Sequence, residues 1–363
     1  MRLFENAHKP VILLGNGARN ADCAKLLRLG VPVLSSWMGC DLVDNFHPLY
    51  FGRPGIYGQR CANKILWEAD YVLAIGNRCS IWNIGYEGFR PSQRIVMVDV
   101  DEAEVKKIKG AIPILHDAAR VVAELEAPKV SPAWISACSN WRVAYPWLEN
   151  SMQNADYISP YTFMWELQKH LREDECIVAD VGTANVCAQQ VLRLKPPQRL
   201  MSSGGLGEMG CGLPGAIGAS FALDKGEVLC LECDGSMMMN LQELQTILHH
   251  KLPIKIIVFS NDGYAMIRRS QQVLGYKETG VGRDNGVSMP SFRKLAHAMG
   301  FMAAECREWP DVWKALPTLF AAKEPALIEV FTDPNQTFLK LNPVMVDGKA
   351  TSPEFWNLSP ITK

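Results

Sequence analysis

Asp234 and Asn261 are the side chains of this sequence whose types and spacing best suit chemistry. Each stands in a turn-forming sequence, Cys-Asp-Gly-Ser and Ser-Asn-Asp-Gly, directly after an apolar run typical of a buried strand. A carboxylate, an amide oxygen and a nearby backbone carbonyl are hard ligands that suit Mg²⁺, which takes its other ligands from water and phosphate. Gly235 would let backbone N–H groups approach a phosphate, and Ser236 adds a hydroxyl. Together the two turns predict a site for magnesium and a phosphate group.

Each turn taken alone is also typical of an ordinary loop, because Asp-Gly and Asn-Asp-Gly are common turn sequences. The 27 residues that separate the two side chains, however, have the pattern of a helix followed by a second strand. Leu241, Leu244 and Leu248 recur on one helix face, and residues 240–243 resemble an N-terminal capping box. This order predicts one right-handed βαβ unit. Both turns would then lie at the carboxyl ends of neighbouring parallel strands, where α/β sheets bind ligands.

The same alternation of strands and helices extends over two blocks of the chain. Strands of continuous apolar character predict parallel sheets that helices cover on both faces. The predicted fold class is therefore α/β, with two doubly wound parallel-sheet domains, the first of them Rossmann-like. We place the first domain at 1–127, a linker at 128–157, the second domain at 158–345 and a tail at 346–363. The predicted strands are Pro10–Leu14, Val31–Leu34, Tyr71–Ile75, Arg94–Asp99, Cys176–Asp180, Val228–Cys233, Ile254–Phe259 and Ala326–Phe331.

Composition excludes several classes of protein. The 363 residues are 48% hydrophobic and 21% charged, which is typical of a globular rather than a disordered chain. Lys plus Arg (37) and Asp plus Glu (38) nearly cancel, so neither nucleic acid nor a membrane is a predicted partner. No apolar run reaches the ~18 residues that span a bilayer. Eleven scattered cysteines, an odd number, favour free thiols in a reducing cytoplasm.

An Asp-Gly followed 27 residues later by Asn resembles the diphosphate and metal motif of thiamine diphosphate (ThDP) enzymes. The wider match is to the acetolactate synthase-like branch of that family, and it covers roughly residues 5–345. Its most specific part is Gly204–Ala219, which is similar to the family's segment before the metal motif. The other matching segments are 240–244, 252–256 and 263–268 in the second block and 9–17, 76–78 and 98–101 in the first, which resembles the family's central domain.

The resemblance implies roles for the residues of the two turns. Asp234 and Asn261 would bind Mg²⁺ through their side chains, and Gly263 would bind it through its carbonyl. Two positions depart from the family's usual residues, since Cys233 stands in place of Gly and Ser260 in place of Asn. The residues implied in contacts with the diphosphate are Gly182, Thr183, Gly235 and Ser236.

Three further residues would contact the organic part of the cofactor. By the resemblance, Met209 would lie under it and hold it in a folded shape, while the carbonyl of Gly207 would accept a hydrogen bond from its amino group. Met266 would line the substrate channel, although core packing fits this methionine equally well. Arg268 and Arg269 could bind an acidic substrate or simply face solvent.

The first block carries a weaker signal for a nucleotide. Gly15, Gly17, Arg78 and Asp99 are compatible with FAD, which the central domain of acetolactate synthases holds. A dinucleotide-dependent oxidoreductase is an alternative that the glycine-rich turn suggests. It leaves the Asp234 and Asn261 turns unexplained, and Asn20 stands where the third glycine of the dinucleotide fingerprint belongs.

The resemblance implies a ThDP- and Mg²⁺-dependent 2-ketoacid carboligase or decarboxylase, which would decarboxylate pyruvate and transfer the two-carbon unit to an acceptor carbonyl. Family members also carry an N-terminal pyrimidine domain with an activating glutamate, and no such domain is recognised in this sequence. We therefore expect a fragment or one subunit, acting as a homo-oligomer or with a separate pyrimidine-domain polypeptide. A simple decarboxylase, an acyl-CoA lyase and a non-catalytic truncated relative remain alternatives.

Overall fold

Two compact units make up the described part of the chain. The computed structural model describes residues 1–86, 88–341, 344–347 and 349–351. Unit 1 comprises Met1–Glu149, Arg193–Pro196 and the described residues from Phe338 onward, and unit 2 comprises Asn150–Leu192 and Pro197–Thr337. Unit 1 thus consists of three separate segments of the chain, whereas each predicted domain is one continuous stretch of sequence. Residues 352–363 of the predicted tail lie outside the described residues.

Unit 1 is built on a five-stranded parallel sheet. Its strands are β1 (Pro10–Leu14), β2 (Val33–Ser35), β3 (Tyr71–Ile75), β4 (Arg94–Asp99) and β5 (Ile112–Leu115), and its helices are α1 (Cys23–Arg28), α2 (Arg60–Glu68), α3 (Ile81–Ile84), α4 (Glu102–Lys106), α5 (Ala118–Glu124) and α6 (Pro132–Ala144). The strand order is β2-β1-β3-β4-β5. The strands β1 and β3 are buried along their whole length, because continuous apolar runs let helices cover both faces of the sheet.

The predicted linker contains α6. The Trp134 indole donates a hydrogen bond to the carbonyl of Pro10 at 3.0 Å, so this helix is anchored to unit 1 next to the first strand. Val344–Val346 (β12) and Lys349–Thr351 (β13) form a separate antiparallel pair.

Unit 2 is built on a six-stranded parallel sheet. Its strands are β6 (Cys176–Ala179), β7 (Arg199–Ser202), β8 (Val228–Cys233), β9 (Ile254–Ser260), β10 (Met302–Cys306) and β11 (Ala326–Phe331), and its helices are α7 (Pro160–Leu167), α8 (Thr183–Val191), α9 (Gly212–Ala222), α10 (Asp234–Met237), α11 (Glu243–His250), α12 (Ala265–Val273), α13 (Phe292–Met299) and α14 (Trp309–Ala321). The order is β10-β11-β9-β8-β6-β7. Both large sheets are entirely parallel with interleaved helices, which confirms the predicted fold class.

Each large sheet has a switch point, where successive strands stop being added on one side of the first strand and are added on its other side. In unit 1 the chain moves from β1 outward to β2 and then across to β3, and in unit 2 it moves from β6 outward to β7 and then across to β8. The loops that follow the two central strands diverge there, so a crevice forms at the carboxyl ends of the strands. Among the described helices, none is both long and apolar enough to cross a membrane.

Candidate functional site

The three loops at the switch point of unit 2 carry most of the predicted site residues. β8 pairs with β9 on one side and with β6 on the other, all in parallel. Asp234 follows β8, Asn261 follows β9, and Gly182 lies in the loop after β6. The predicted neighbouring strands are confirmed, and with them the placement of both turns at one edge of one sheet.

Asp234 is the centre of the hydrogen bonding at this edge. Its carboxylate is fully buried and accepts backbone N–H groups from Gly235 at 2.8 Å, from Asn261 at 2.9 Å and from Gly263 at 3.0 Å. Burial raises the pKa of Asp234 from 3.8 to about 6, and the three N–H donors oppose that rise. No cation in the described chain pairs with it. A buried carboxylate without a counter-charge is an unfavourable arrangement that a bound cation would relieve.

Asn261 presents an amide oxygen that no group in the described part of the chain satisfies. Its side chain is buried, and its Nδ2 donates to Oγ1 of Thr183 at 3.2 Å, while its Oδ1 has no hydrogen-bond partner. The bond to Thr183 fixes which way the amide is turned. The unpaired oxygen is a neutral hard ligand. It belongs to the same turn whose N–H groups donate to the Asp234 carboxylate.

Gly263 is the one position of the second turn where only glycine fits. Its φ is +121°, and a Cβ would lie 2.4 Å from the carbonyl oxygen of Val281. The preceding Asp262 also has a positive φ, of +61°. In the described part of the chain, the carbonyl of Gly263 accepts no hydrogen bond, so it too is available as a ligand.

The loop after β6 offers backbone donors. Gly182, with φ of +85°, precedes α8, and its N–H and that of Thr183 have no acceptor among the described residues. The helix dipole adds partial positive charge at this end. Cγ of Met266 lies 3.9 Å from the point where a Cβ on Gly182 would stand, so the structure brings this methionine to the loop.

Cys233 fills space between the first two loops. Its thiol accepts the N–H of Ala184 at 3.3 Å and lies 3.5 Å from the carbonyl oxygen of Val181. Burial raises the pKa of Cys233 far above its usual range. A neutral thiol therefore ties the end of β8 to the start of α8, where the resemblance predicts a glycine.

Two buried acids, Asp180 and Glu232, support these loops and were not predicted as site residues. Asp180 accepts the N–H groups of Val181 and Gly212, both at 2.7 Å. Glu232 lies 3.0 Å from the hydroxyl of Ser236, which is thus engaged inside the protein. Burial raises the pKa of both carboxyl groups. An acidic residue inside an otherwise apolar strand run is the sequence signal that could have identified them.

The segment that carries Gly207 and Met209 lies on the surface of unit 2. Gly207 has a φ of +71°, and Met209 is 38% exposed. The side chain of Asn240 donates to the carbonyl of Gly210 at 2.5 Å, which joins this segment to the residues after α10. The predicted capping box is therefore wrong: α11 begins at Glu243 without a side-chain cap, because the Asn240 amide is used elsewhere.

The side chain of Arg268 is turned into the protein. It is buried, and its guanidinium donates to the carbonyls of Asn261, Asp262 and Val281. The predicted solvent-facing role is therefore wrong for this residue, because it reaches back from its helix to the preceding turn, and binding of an acidic substrate stays a prediction.

The glycine-rich turn of unit 1 is packed differently. A Cβ on Gly15 would lie 2.1 Å from the carbonyl oxygen of Gly76, and one on Gly17 would lie 2.8 Å from the Cα of Gly76. Arg78 has a side chain that is 77% exposed and lies 3.6 Å from Glu104. Close packing between the loops after β1 and β3 therefore explains both glycines without a nucleotide.

Asp99 is placed in the same region but acts locally. Its carboxylate accepts the N–H of Asp101 at 3.1 Å, and its carbonyl accepts the N–H of His116 at 3.0 Å. These contacts hold the end of β4 in place. They do not test FAD binding by unit 1, which stays a prediction.

The donor set in unit 2 fits a magnesium ion with a diphosphate. One buried carboxylate, one orphaned amide oxygen and one free carbonyl are the ligands of a hard cation that keeps part of its shell for water and phosphate. No group of three or more His, Cys, Asp or Glu side chains that could hold a metal occurs among the described residues, so this set does not suit a softer metal.

Comparison with known families decides between the alternatives. Residues 180–330 match the thiamine pyrophosphate enzyme C-terminal TPP binding domain, and residues 1–125 match the thiamine pyrophosphate enzyme central domain. The chain belongs to the thiamine pyrophosphate enzyme family. The C-terminal match includes all three loops described above, and the dinucleotide oxidoreductase alternative is set aside.

Curated relatives of the chain include acetolactate synthase large subunits. Isozyme 1 of Escherichia coli (strain K12) is 31% identical over 360 residues, which cover 96% of this chain and 62% of the relative. Isozyme 2 of the same organism is 30% identical over 342 residues, 92% of this chain and 61% of the relative. A probable acetolactate synthase large subunit of Methanococcus aeolicus is 30% identical over 369 residues, which cover 94% of this chain and 61% of the relative. The chain thus spans about three fifths of the length of the relatives that it matches.

Proposed function

We propose that this chain binds ThDP together with Mg²⁺ and takes part in an acetolactate synthase-like carboligation or decarboxylation of a 2-ketoacid. The observation that carries the proposal is a group of unsatisfied polar atoms at one edge of the unit 2 sheet. Among the described residues, the Asp234 carboxylate has no cation, Oδ1 of Asn261 has no donor, and the N–H groups of Gly182 and Thr183 have no acceptor. A divalent cation with a diphosphate would satisfy all of them at once.

In this proposal Asp234, Asn261 and Gly263 hold the Mg²⁺. Asp234 supplies the negative charge, and the side-chain bond between Asn261 and Thr183 keeps the amide oxygen free for the ion. Because three backbone N–H groups already bind the carboxylate, the two turns are held together before the ion arrives. The site is therefore preorganised, which lowers the cost of binding.

The diphosphate would lie against the loop after β6 and the turn after β8. Gly182 and Thr183 would donate backbone N–H groups, and the start of α8 would add its dipole. At Gly235 the Tyr264 ring fills the space that a Cβ would need, at 2.5 Å, so packing requires the glycine, whose N–H already donates to Asp234. Ser236 would contribute through its backbone, because its hydroxyl is engaged with Glu232.

The organic part of the cofactor would extend toward Gly207, Met209 and Met266. When bound, ThDP supplies a carbon nucleophile and an electron sink for the cleavage of a 2-ketoacid. The chain's own contribution is to fix the diphosphate and the metal, to exclude water from the buried carboxylate, and to offer apolar side chains beside the reacting centre. A pyrimidine domain with its activating glutamate would complete the site. The need for such a domain remains a prediction from the resemblance.

Titration of ThDP into the purified protein tests the proposal. We expect saturable heat by calorimetry with Mg²⁺ present and at least a tenfold weaker response with the metal chelated, because the diphosphate then meets an uncompensated carboxylate. FAD, titrated in parallel, tests the nucleotide site that was predicted in unit 1. Absence of Mg²⁺-dependent ThDP binding would contradict the proposal.

The products formed from pyruvate separate the remaining activities. With the pyrimidine side of the site present, a carboligase gives a longer hydroxy-ketoacid, whereas a simple decarboxylase gives acetaldehyde. The lining of the acceptor pocket decides between them. A protein that binds ThDP but turns over no 2-ketoacid in its complete assembly would fit the non-catalytic alternative.

Assembly with other subunits is part of the proposal. The relatives named above are described as large subunits, and the surface around the Gly207 segment is apolar: Leu206 is 89% exposed, and Met238 and Met239 are close to half exposed. Apolar groups of this kind favour a protein interface. All eleven cysteines are free thiols, which supports the proposed reducing cytoplasmic location.

A further inference from the structure

Arg268 occupies a position that the proposed magnesium site alone does not explain. It lies on α12, it is only 6% exposed, and its guanidinium is directed back at the turn between β9 and that helix. A buried guanidinium is costly to desolvate unless hydrogen-bond acceptors surround it. The Nε of Arg268 lies 3.8 Å from a carboxylate oxygen of Glu278, which compensates the charge. The hydrogen-bond acceptors of the guanidinium among the described residues are backbone carbonyls, including that of Pro334, and this suits a residue that shapes the backbone.

The hydrogen bonds of the guanidinium divide the carbonyls of the turn into two groups. Nη1 donates to the carbonyl of Asn261 at 3.3 Å, and Nη2 donates to that of Asp262 at 2.8 Å. The carbonyl of the next residue, Gly263, accepts no hydrogen bond in the described chain. Of three consecutive carbonyls, two are therefore turned to the arginine and one remains open to a cation.

We propose that Arg268 is a positioning residue that selects the Gly263 carbonyl as the backbone ligand of the metal, by holding the carbonyls of Asn261 and Asp262 away from it. This inference rests on the proposed function. A carbonyl oxygen that points at a guanidinium cannot point at a Mg²⁺ ion as well, and octahedral Mg²⁺ tolerates little misplacement of its ligands. The arginine thereby acts on the metal without touching it.

The backbone of the turn needs such a restraint. Asp262 and Gly263 follow one another with φ of +61° and +121°, and a positive φ at a non-glycine residue is unfavourable unless its surroundings hold it. Nη2 also donates to the carbonyl of Val281 at 2.9 Å, which in turn accepts the N–H of Tyr264. Arg268 therefore links both sides of the strained turn to a second loop.

A neighbouring glycine shows how closely the guanidinium is fitted. A Cβ on Gly282 would lie 2.5 Å from Nη2 of Arg268. The φ of Gly282 is −169°, which any residue can adopt, so space and not backbone conformation requires a glycine here. The same Cβ would lie 3.0 Å from the carbonyl oxygen of Asp262, so Gly282→Ala disturbs the contact between the guanidinium and that carbonyl from both sides without removing the charge.

The experiment measures the Mg²⁺ concentration that half-saturates ThDP binding, followed by intrinsic tryptophan fluorescence at fixed ThDP. We expect Arg268→Met to raise that concentration about tenfold or more, as loss of an outer-shell partner of a metal site does. Arg268→Lys and Gly282→Ala should raise it by smaller factors, and binding should recover at high Mg²⁺. Arg269→Met is the matched control, since Arg269 bonds to Gln272 on its own helix and should leave the value unchanged.

A second measurement needs no cofactor. Amide hydrogen exchange of the peptide that spans residues 260–264 in the apo protein should be faster in the Arg268 and Gly282 variants and unchanged in Arg269→Met. If Arg268→Met does not fold, Arg268→Lys and Gly282→Ala carry the test. An unchanged Mg²⁺ requirement in these folded variants, or a weakening of ThDP binding that is equal with and without saturating Mg²⁺, would overturn the inference. Wild-type protein that binds no ThDP with Mg²⁺ would instead refute the proposed function.

Discussion

The two sheets of this protein have the same kind of switch point, and they use it differently. In unit 1 the loops after β1 and β3 close on each other, with the Gly17 N–H donating to the Gly76 carbonyl at 3.0 Å. In unit 2 the loops after β6 and β8 leave a buried carboxylate without a cation, and N–H groups of the loop after β6 lack acceptors. One crevice is filled by backbone and the other is lined by unsatisfied polar atoms.

The difference teaches how to interpret glycine-rich turns. Both sites contain glycines that tolerate no side chain, so the presence of glycine does not separate them. What separates them is whether the buried polar groups beside the glycines have partners within the described part of the protein. Unsatisfied buried polar groups are rare in folded proteins, and a cluster of them is therefore better evidence for a ligand than a sequence pattern.

The largest effect that this comparison predicts comes from the metal carboxylate. Asp234→Ala should weaken Mg²⁺-dependent ThDP binding by at least ~100-fold, more than outer-shell substitutions usually do, because the only charged ligand is lost. Calorimetry measures it. Asp262→Asn is the matched control, since the Asp262 carboxylate belongs to the same turn but lies beside Arg283. Equal binding by wild type and Asp234→Ala would remove the distinction between the two crevices.

The pH dependence of apo stability is the second prediction. Burial raises the pKa of Asp234 from 3.8 to about 6, so the folded protein binds this proton more tightly than the unfolded chain does. Stability of the apo protein should therefore fall as pH rises through this window. Asp234→Asn, which is neutral throughout, should remove that part of the slope. Thermal melts at pH 4 to 7 without metal test it, and an equal pH dependence in wild type and Asp234→Asn would contradict it.

A matched substitution in unit 1 should lower the stability of the protein and leave ThDP binding unchanged. Gly15→Ala brings a Cβ to 2.1 Å from the Gly76 carbonyl oxygen, so we expect a loss of about 1–3 kcal/mol in stability. ThDP affinity should not change, because the contact lies in the other unit. Gly218→Ala, where the added Cβ meets nothing within 4 Å, is the control for alanine itself. Chemical denaturation and calorimetry on the same samples separate the two effects.

The bond between Thr183 and Asn261 should have a smaller effect. Thr183→Val removes the acceptor of the Asn261 amide at 3.2 Å, which costs about 0.5–1.5 kcal/mol, and so raises the Mg²⁺ requirement a few-fold. Thr183→Ser keeps a hydroxyl and should behave as wild type. A valine variant indistinguishable from wild type would show that the amide is oriented by something else.

The smallest effect should come from Arg78. Its exposed side chain lies 3.6 Å from Glu104, and a surface ion pair of this kind contributes only ~0–1 kcal/mol. Arg78→Ala should change the melting temperature little and leave ThDP binding intact. If wild type binds FAD and Arg78→Ala does not, unit 1 holds a working nucleotide site and the contrast between the crevices fails.

Sequence alone predicts the central strands and the metal turns well. Five predicted strands have the observed bounds, because strands covered on both faces are continuous apolar runs in the sequence: Pro10–Leu14, Tyr71–Ile75, Arg94–Asp99, Val228–Cys233 and Ala326–Phe331. The strands of the two large sheets that were not predicted are β5, β7 and β10, each of which lies at a sheet edge and is partly exposed. The pair β12 and β13 was not predicted either. A half-exposed edge strand lacks the apolar run on which the prediction depends.

The supporting groups of the site could not be predicted in the same way. Arg268, Asp180 and Glu232 act through carbonyl and N–H groups of loops that are distant in sequence. Hydrophobic periodicity says where a segment lies but not which backbone group a buried charge will meet. The motif could be recognised locally, whereas its supports depend on tertiary structure.

The thiols of the protein offer a practical advantage for following the Gly207 segment. Ten of the eleven cysteines are buried, and burial raises the pKa of the partly exposed one, Cys211, to about 12. Maleimide reagents attack thiolates, so native cysteines should react slowly at neutral pH. A cysteine introduced by Leu206→Cys, at a position that is 89% exposed, would then be labelled selectively in the otherwise unaltered chain. A fluorophore there would report how the segment responds when ThDP, Mg²⁺ or another subunit arrives.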